Sequence, residues 1–296
     1  MSWPAEAIWQ SISPALPDFS VEILSQIDST NSELMRRARA GRVEPVLLVA
    51  EHQTAGRGRL GRQWHSQAAG SRSEPPASLT FSLALPLMPR NWSGLSLVAG
   101  LVVAEALHAD VGLKWPNDLW WQDRKLGGIL VETAAMDLKP GPFMAAADEP
   151  RGLTAAAASG AAVDGALRYV VIGVGLNVTP AAVAALSAQE LPLRTPAASL
   201  QELLADIDAP AVLARIAAPL VFATLAFASE GFVPWRARFE ARDVLRGRAV
   251  EMSDGAAQGV ADGVDDAGGL LVRTAGQGGV KVVQSAEASV RPRTAG

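Results

Sequence analysis

A loop of alternating glycine and arginine is the part of this sequence whose residue types point most directly to chemistry. It spans Gly56 to Arg62 (Gly-Arg-Gly-Arg-Leu-Gly-Arg) and follows an apolar run, 46–50, that predicts a buried strand. Glycines let the backbone take positive φ and approach a ligand closely. Arginines supply planar, permanently charged groups that suit phosphate or carboxylate. We therefore predict that this loop, the Arg/Gly loop, binds an anion.

Two common phosphate-binding motifs do not fit the Arg/Gly loop. Its glycine spacing matches the dinucleotide-binding fingerprint, which needs a helix directly after it and an acidic residue about 20 positions later. Here a segment rich in Gly, Ser and Pro, 68–78, follows instead, with Glu74 inside it. A P-loop would end in Gly-Lys-Ser/Thr, which is missing. The remaining alternative is a solvated basic turn, because charged runs usually face water.

Polar residues also follow a predicted strand at 21–24. Thr30 with Glu33 predicts a capping box at the start of a helix that ends at Gly41. The triplet 29–31 (Ser-Thr-Asn) is then either only a helix cap or, at a helix N-terminus, a set of groups that orient a ligand.

Two lysines, Lys114 and Lys125, flank a Pro-Asn-Asp corner at 116–118. Taken singly, each lysine fits a solvated surface group. Together with the loop arginines they would form a cationic pocket beside the polar side chains of Gln53 and Asn117.

Composition excludes several classes of protein. The 296 residues are 49% hydrophobic and 19% charged, which is ordinary for a globular protein with one large and one small domain. A net charge of −4 argues against general nucleic-acid binding. Without cysteine there is no disulfide or thiolate zinc site, and the three histidines show no metal-ligand spacing.

Targeting signals are not evident in the sequence. The first basic residue is Arg36, so the start is unlike a secretory signal. The most apolar segment, 216–229, has 14 uncharged residues, too few to span a bilayer. We expect a cytoplasmic protein.

The elements that must position these residues follow from hydrophobic periodicity. Residues 1–21 lack a period and are expected to drape over the main domain, whereas 79–85 alternates and predicts a half-buried strand. Ser93 is expected to cap a central helix, 95–107. A strand, corner and hairpin are predicted over 111–132 and a buried strand over 169–178.

The C-terminal third divides into helical and β-rich parts. Helices are predicted at 195–205 and 209–229, followed by one or two helical turns at 235–245. Before them, in the middle of the chain, 134–167 is expected to be an irregular insertion. From Gly247 short β-rich runs alternate with Gly/Asp turns, at 248–251, 258–264, 270–274, 280–283 and 288–291. This pattern predicts a domain boundary near Arg246, with a large domain over 1–246 and a small SH3-like domain over 247–296.

Five segments occur in an order that is similar to one enzyme family. They are Asp28-Ser-Thr-Asn31, Gln53-x-x-Gly56-Arg-Gly-Arg-x-Gly-Arg62, Lys114-Trp-Pro-Asn-Asp-Leu119, Lys125-Leu-Gly-Gly-Ile-Leu-Val-Glu132 and Gly173-x-Gly-x-Asn177. On these segments the chain resembles a biotin protein ligase of the monofunctional form, without an N-terminal DNA-binding domain. The resemblance implies an α+β fold: a central mixed or antiparallel sheet flanked by helices, like the catalytic domain of class II aminoacyl-tRNA synthetases, with a small C-terminal SH3-like β-barrel.

The resemblance implies a two-step reaction that uses ATP and Mg²⁺. The biotin carboxylate attacks the α-phosphate of ATP to give biotinyl-5′-AMP, and a lysine of a biotin carboxyl carrier protein then accepts the biotin. The expected partners are biotin, ATP and this carrier, with no DNA and no membrane. The oligomeric state is open, with a homodimer as the candidate.

Roles are implied by matched position. Biotin would contact Ser29, Thr30, Asn31, Gln53, Arg57, Gly58, Arg59 and Lys125, and the nucleotide would contact Arg57, Arg59, Lys114, Asn117 and Asn177. Arg59 would clamp phosphate and carboxyl groups, and Lys125 would stabilise charge at the reacting centre. Asp118, the third catalytic candidate, would orient a lysine, help with metal, or accept the proton of the carrier lysine. No protein metal site is implied.

The sequence also departs from the family pattern. Leu60 stands where the family often has a basic residue, and the insertions at 68–78 and 134–167 have no counterpart in the minimal pattern. A lipoate or octanoate ligase is the alternative within the fold, but those relatives do not show the Gly-Arg-Gly-Arg-x-Gly loop. A non-catalytic nucleotide-binding module is the alternative outside it, and such a module would lack Lys125.

Overall fold

The chain folds around a seven-stranded mixed sheet. The computed structural model describes residues 2–66, 75–136, 166–189, 195–252, 258–274, 279–284 and 290–292. In chain order its strands are β1 Ser20–Leu24, β2 Val46–Ala50, β3 Gly56–Arg57, β4 Gln63–Trp64, β5 Ser78–Leu87, β6 Gly112–Lys114, β7 Asp118–Trp121, β8 Arg124–Ala135, β9 Arg168–Asn177, β10 Ala249–Met252, β11 Gln258–Val264, β12 Leu270–Thr274, β13 Val280–Val283 and β14 Val290–Pro292. The large sheet has the order β1-β2-β5-β9-β8-β7-β6, in which β1 and β2 are parallel and the other neighbours are antiparallel.

Helices cover both faces of this sheet. They are α1 Ala5–Ile12, α2 Thr30–Arg39, α3 Leu95–Leu107, α4 Pro180–Gln189, α5 Ala209–Glu230 and α6 Arg236–Glu240. The helices α3 and α5 pack together over the larger apolar cluster, whereas Leu34 and Met35 of α2 belong to a separate cluster with residues of β2, β5 and β9. The two clusters place α2 and the α3–α5 pair on opposite sides of the sheet.

The helix α5 agrees with the predicted helix at 209–229 and ends one residue later, so it is longer than the apolar segment 216–229 within it. It has 22 residues, contains Pro219, and is long and apolar enough to cross a membrane by length and composition alone. Half of its apolar window is buried inside the protein, as expected for a core helix.

The alternating strand β5 is buried on both faces, so the prediction of a half-buried strand is wrong. Its polar members Ser78, Thr80 and Ser82 are all 2% exposed or less. Thr80 donates to the Ala50 carbonyl oxygen at 2.8 Å, and Ser82 is hydrogen bonded to α2. The polar face of β5 is therefore covered, and of these three side chains Ser82 is the one hydrogen bonded to α2.

Three other local predictions are corrected. Ser29, not Thr30, is the N-cap of α2, and Glu33 pairs with Arg36 and Arg37 instead of closing a capping box. Gly94, at φ 86°, occupies the N-cap position of α3 in place of Ser93.

Residues 195–205 contain only a 3₁₀ turn, Leu200–Glu202, within a described stretch that begins at residue 195. The N-terminal segment is also more regular than expected. It contains α1, whose Ile8 and Ile12 enter the large core cluster.

A second, antiparallel sheet follows α6, in the order β13-β12-β11-β10-β14. It meets the large sheet at the corner that carries Asn117, because the Trp115 indole nitrogen donates to the Gly268 carbonyl oxygen at 2.9 Å. Arg248 pairs with Asp123 in the turn between β7 and β8. The expected α+β fold with a small C-terminal β-sheet is confirmed.

Some predictions fall partly or wholly outside the described residues. They concern most of the insertion at 134–167, most of the segment at 68–78, and the start of the run at 288–291.

Candidate active site

A cleft lies between the N-terminus of α2, the Arg/Gly loop, the 116–118 corner and strands β8 and β9. It encloses about 860 Å³, including space that is open to solvent. The predicted site residues that line it are Ser29, Thr30, Asn31, Gln53, Arg57, Gly58, Arg59, Lys114, Asn117, Asp118 and Lys125. Residues distant in sequence thus meet around one ligand-sized space.

Uncharged polar side chains form the part of the cleft nearest α2. The Thr30 backbone N–H donates to Gln53 Oε1 at 2.7 Å. The Ser82 hydroxyl lies 2.6 Å from Asn31 Oδ1 and 2.7 Å from Thr30 Oγ1. All four residues are buried, so their hydrogen bonds hold each polar group in one orientation. This region offers fixed donors and acceptors to a neutral polar ligand.

Two glycines of β9 make room for that arrangement. A Cβ on Gly173 would lie 2.2 Å from Asn31 Oδ1, and a Cβ on Gly175 would lie 2.5 Å from the Trp64 ring. The motif Gly173-x-Gly175 is therefore needed because α2 and the Arg/Gly loop approach the backbone of β9 closely.

Cationic side chains form the other part of the cleft around one carboxylate. Lys125 Nζ lies 2.6 Å from Asp118 Oδ1, and Lys114 Nζ lies 4.0 Å from Asp118 Oδ2. Arg59 Nη1 donates to Asn117 Oδ1 at 3.4 Å. Asn117 is itself anchored to β8, since its amide donates to the Ile129 carbonyl oxygen at 2.9 Å. Arg59 and Lys125 therefore share one cleft and one supporting corner.

Burial affects the charge of Arg59. Desolvation lowers the pKa of this guanidinium, and the nearby carboxylate of Asp118 opposes that shift. An arginine stays cationic at neutral pH even so. Lys114 is the more buried of the two lysines and lies over the Trp120 ring, with Nζ 5.2 Å from the ring centroid. The cleft thus holds fixed positive charge away from bulk water, where it attracts anions most strongly.

The Arg/Gly loop is a short hairpin folded over the cleft. Strands β3 and β4 pair, and the Gly58 N–H donates to the Arg62 carbonyl oxygen at 2.8 Å. Between them Leu60 adopts φ 56°, and its side chain is 61% exposed. The exposed leucine lies at the tip of the loop, so the loop side chains that could bind an anion are the flanking arginines.

Asn177 is the one predicted site residue that does not line the cleft. Its amide donates to the Ala198 carbonyl oxygen at 3.1 Å and to that of Lys125 at 3.4 Å. It therefore lies behind Lys125, and direct contact with the nucleotide remains a prediction.

Three residues without a predicted role belong to the site. Ser82 joins Thr30 and Asn31, Trp64 packs over Gly175, and Glu132 pairs with Arg57 at 3.1 Å. A sequence signal existed for Glu132, because it ends one of the quoted motifs, whereas Trp64 lies two residues beyond the motif that ends at Arg62. Ser82 had none, since an alternating strand is also typical of a surface.

Metal binding by protein side chains alone is not indicated, because the described residues contain no group of three or more His, Asp or Glu side chains that could hold a metal ion. Among the described residues that line the cleft, Asp118 is the one with a carboxylate. Mg²⁺ commonly takes one or two carboxylates together with substrate phosphates, so the cleft fits a metal that arrives with a nucleotide.

Comparison with known proteins agrees with this geometry. The model of the biotin/lipoate A/B protein ligase family matches residues 24–139. The bifunctional ligase/repressor BirA of Escherichia coli (strain K12) is 34% identical over 279 residues, which cover 90% of this chain and 75% of that protein. The chain therefore belongs to the biotin/lipoate A/B protein ligase family.

Within that family the similar proteins are biotin ligases, which confirms the resemblance read from the five motifs. The biotin–[acetyl-CoA-carboxylase] ligase of Paracoccus denitrificans is 31% identical over 286 residues, covering 90% of this chain and 98% of that protein. The solved structure of the biotin protein ligase from Aquifex aeolicus in complex with biotin and ATP has 27% identity and a TM-score of 0.66, covering 92% of this chain and 99% of that one.

Proposed function

We propose that this protein is a biotin protein ligase, which activates biotin with ATP and transfers it to a lysine of a biotin carboxyl carrier protein. One observation carries the proposal: Arg59 and Lys125, from separate segments, line the same cleft as the uncharged polar network of α2. That combination suits a ligand with a neutral polar end and an anionic end. The similarity to biotin ligases supports it.

The first step joins two anions. A carboxylate oxygen of biotin forms a bond to the α-phosphorus of ATP, the bond to the bridging oxygen breaks, and pyrophosphate leaves. Fixed positive charge lowers the repulsion between the reactants. Each charge-assisted hydrogen bond from Arg59, Lys114 or Lys125 would contribute about 1.5–3 kcal/mol.

The second step releases AMP. The neutral amine of the carrier lysine attacks the acyl carbon of the mixed anhydride, loses a proton and forms an amide, while the acyl–oxygen bond to AMP breaks. Fewer than about one lysine in a thousand is neutral at pH 7 when its pKa is unperturbed. An acceptor for that proton is therefore useful, and Asp118 is the carboxylate in the cleft.

The predicted site residues are assigned to the two ligands as follows. Biotin lies against the polar network, under the Arg/Gly loop from Arg57 to Arg59. The nucleotide lies between Arg59, Lys114 and Asn117. Asn177 acts through Lys125, whose backbone carbonyl accepts its amide. The contact between Asp118 and Lys125 supports the orienting role of Asp118, and its two other roles, holding metal and accepting a proton, stay open.

Mg²⁺ is proposed as the companion of ATP. Asp118 is the residue that would hold it, and the metal would supply positive charge to the phosphates. The carrier protein as partner, a homodimer and a cytoplasmic location are further proposals that the geometry of the cleft does not decide.

The test is biotin-dependent exchange of labelled pyrophosphate into ATP, which isolates the first step, followed by labelling of an apo carrier domain. We expect exchange with biotin and none with lipoate or octanoate. Exchange that depends on lipoate would instead favour the alternative ligase. Binding of ATP without exchange for any acid would favour a nucleotide-binding module.

A further inference from the structure

Glu132, on β8, contacts two different parts of the cleft. Its Oε1 lies 3.1 Å from Arg57 Nη2, and its Oε2 accepts from Asn31 Nδ2 at 2.9 Å. The side chain of Glu132 is 21% exposed and that of Arg57 is 49% exposed. One carboxylate thus joins the Arg/Gly loop to the N-terminus of α2.

From Asn31 the hydrogen bonds continue into the polar network. Asn31 Oδ1 can only accept, so Ser82 donates its single hydroxyl proton there, and Thr30 is left to donate to Ser82 or to Gln53. The orientation of the Asn31 amide is consequently set from both ends, by Ser82 at its oxygen and by Glu132 at its nitrogen.

We propose that Glu132 is a positioning residue for the ligase reaction, which holds the Arg/Gly loop over the cleft through Arg57 and fixes the Asn31 amide. Retention of the adenylate under the loop and orientation of biotin are then coupled through one side chain. This proposal rests on the proposed function. It assigns Arg57 to tethering the loop, with Arg59 and the two lysines left to face the phosphates.

Glu132→Gln separates the two contacts. Its amide oxygen can still accept from Asn31 Nδ2, but it carries no charge for Arg57. We expect preformed biotinyl-5′-AMP to leave about three- to fivefold faster, as suits a partly exposed ion pair, with the KM for biotin unchanged. Glu132→Ala removes both contacts and is expected to raise that KM as well. Release from Glu132→Gln at the wild-type rate would overturn the proposal.

A double-mutant cycle tests whether the effect acts through Arg57. Arg57→Gln is expected to speed adenylate release to a similar extent. The double variant Glu132→Gln/Arg57→Gln is expected to speed release no more than the single variant with the larger effect. Multiplicative effects would show that the two residues act independently and would overturn the tether.

The ion pair between Glu105 and Arg238 offers a matched control. It lies on α3 and α6, outside the lining of the cleft, and has similar exposures of 29% and 50%. Glu105→Gln is expected to leave adenylate release unchanged. If it speeds release as much as Glu132→Gln, the effect is general loss of stability and the proposal fails.

Proteolysis reports on the tether without any reaction. In ligand-free protein, trypsin is expected to cut after Arg59 and Arg62 faster in Glu132→Gln than in wild type, with the sites mapped by mass spectrometry. Equal cutting would count against the tether. If wild type made no adenylate, the proposed function would fail, while this measurement would still decide the role of Glu132.

Discussion

At the scale of single residues, the proposed catalytic role of Lys125 depends on how its side chain is held. Its ammonium faces Asp118, and its backbone is tied on both sides, since its N–H donates to the Pro196 carbonyl oxygen at 2.7 Å and its own carbonyl accepts from Ala198 at 2.9 Å. A long, flexible side chain is useful at a reacting centre only when its base is fixed.

Removing this ammonium is expected to slow the first step. Lys125→Ala should lower the rate of pyrophosphate exchange by at least about tenfold, which corresponds to some 1.4 kcal/mol of barrier. Lys281→Ala, an exposed lysine of the second sheet, is the control. An unchanged exchange rate in Lys125→Ala would remove it from the catalytic residues.

At the scale of elements, two arginines connect the Arg/Gly loop to the rest of the cleft. Among the described residues, Arg57 pairs with Glu132 and Arg59 reaches Asn117. A partly exposed ion pair such as the first contributes little stability, so we expect the order of the loop to depend on the ligand that it covers.

Loss of the contact between Arg59 and Asn117 is expected to release the adenylate intermediate from the cleft. With Arg59→Gly, reactive adenylate should escape and label bystander proteins with biotin, detected by blotting for biotin in a mixture with an unrelated protein. Arg59→Lys keeps the charge but not the planar fork, so it should retain more adenylate than Arg59→Gly. If Arg59→Gly keeps its adenylate as long as wild type does, the loop is not the cover.

The strand β9 makes room for the site because two of its residues, Gly173 and Gly175, have no side chain. Gly173→Ala would place a methyl group 2.2 Å from Asn31 Oδ1, so the amide must move. We expect the KM for biotin to rise about tenfold, the loss of about one good hydrogen bond. Gly279→Ala, whose new methyl group would meet no non-neighbouring atom of the described residues within 4 Å, is the control. A normal KM in Gly173→Ala would mean that Asn31 does not orient biotin.

At the scale of the whole molecule, the segment after α6 links the two sheets. It pairs with β6, since the Leu113 N–H donates to the Arg242 carbonyl oxygen at 2.8 Å. Asp243 lies in this junction with its Oδ2 buried and without a hydrogen-bond partner among the described residues, and burial raises the pKa of its carboxyl to about 6.

This carboxyl is expected to make stability depend on pH. Because the folded-state pKa lies above the ordinary value of 3.8, the native state keeps its proton longer than the unfolded state, and that stabilisation is lost as pH rises from about 4 through about 6. The effect is at most about 3 kcal/mol. Asp243→Asn should therefore gain stability relative to wild type between pH 4 and pH 7.

Denaturant midpoints of both proteins at several pH values measure this difference. Asp110→Asn, which removes an exposed charge on a side chain that is 72% accessible, is the control. A difference between Asp243→Asn and wild type that does not change with pH would contradict the prediction.

Local sequence determined much of this protein. The limits of α3 and the C-terminal strands β11, β12 and β13 agree with the predicted runs, because apolar periodicity and Gly turns act over a few residues. The Arg/Gly loop and the two lysines could be predicted as candidate anion ligands, since guanidinium and ammonium groups are chemically suited to anions.

Tertiary structure alone decided the rest. The surface-like alternation of β5 could not show that Ser82 is buried, because burial depends on what packs over the strand. The sequence also could not show that Glu132 contacts both Arg57 and Asn31, which are 75 and 101 residues away in the chain. Only the folding of α2 and the loop onto one sheet brings these groups within hydrogen-bonding distance, and hydrogen bonds act over about 3 Å whatever the separation in sequence.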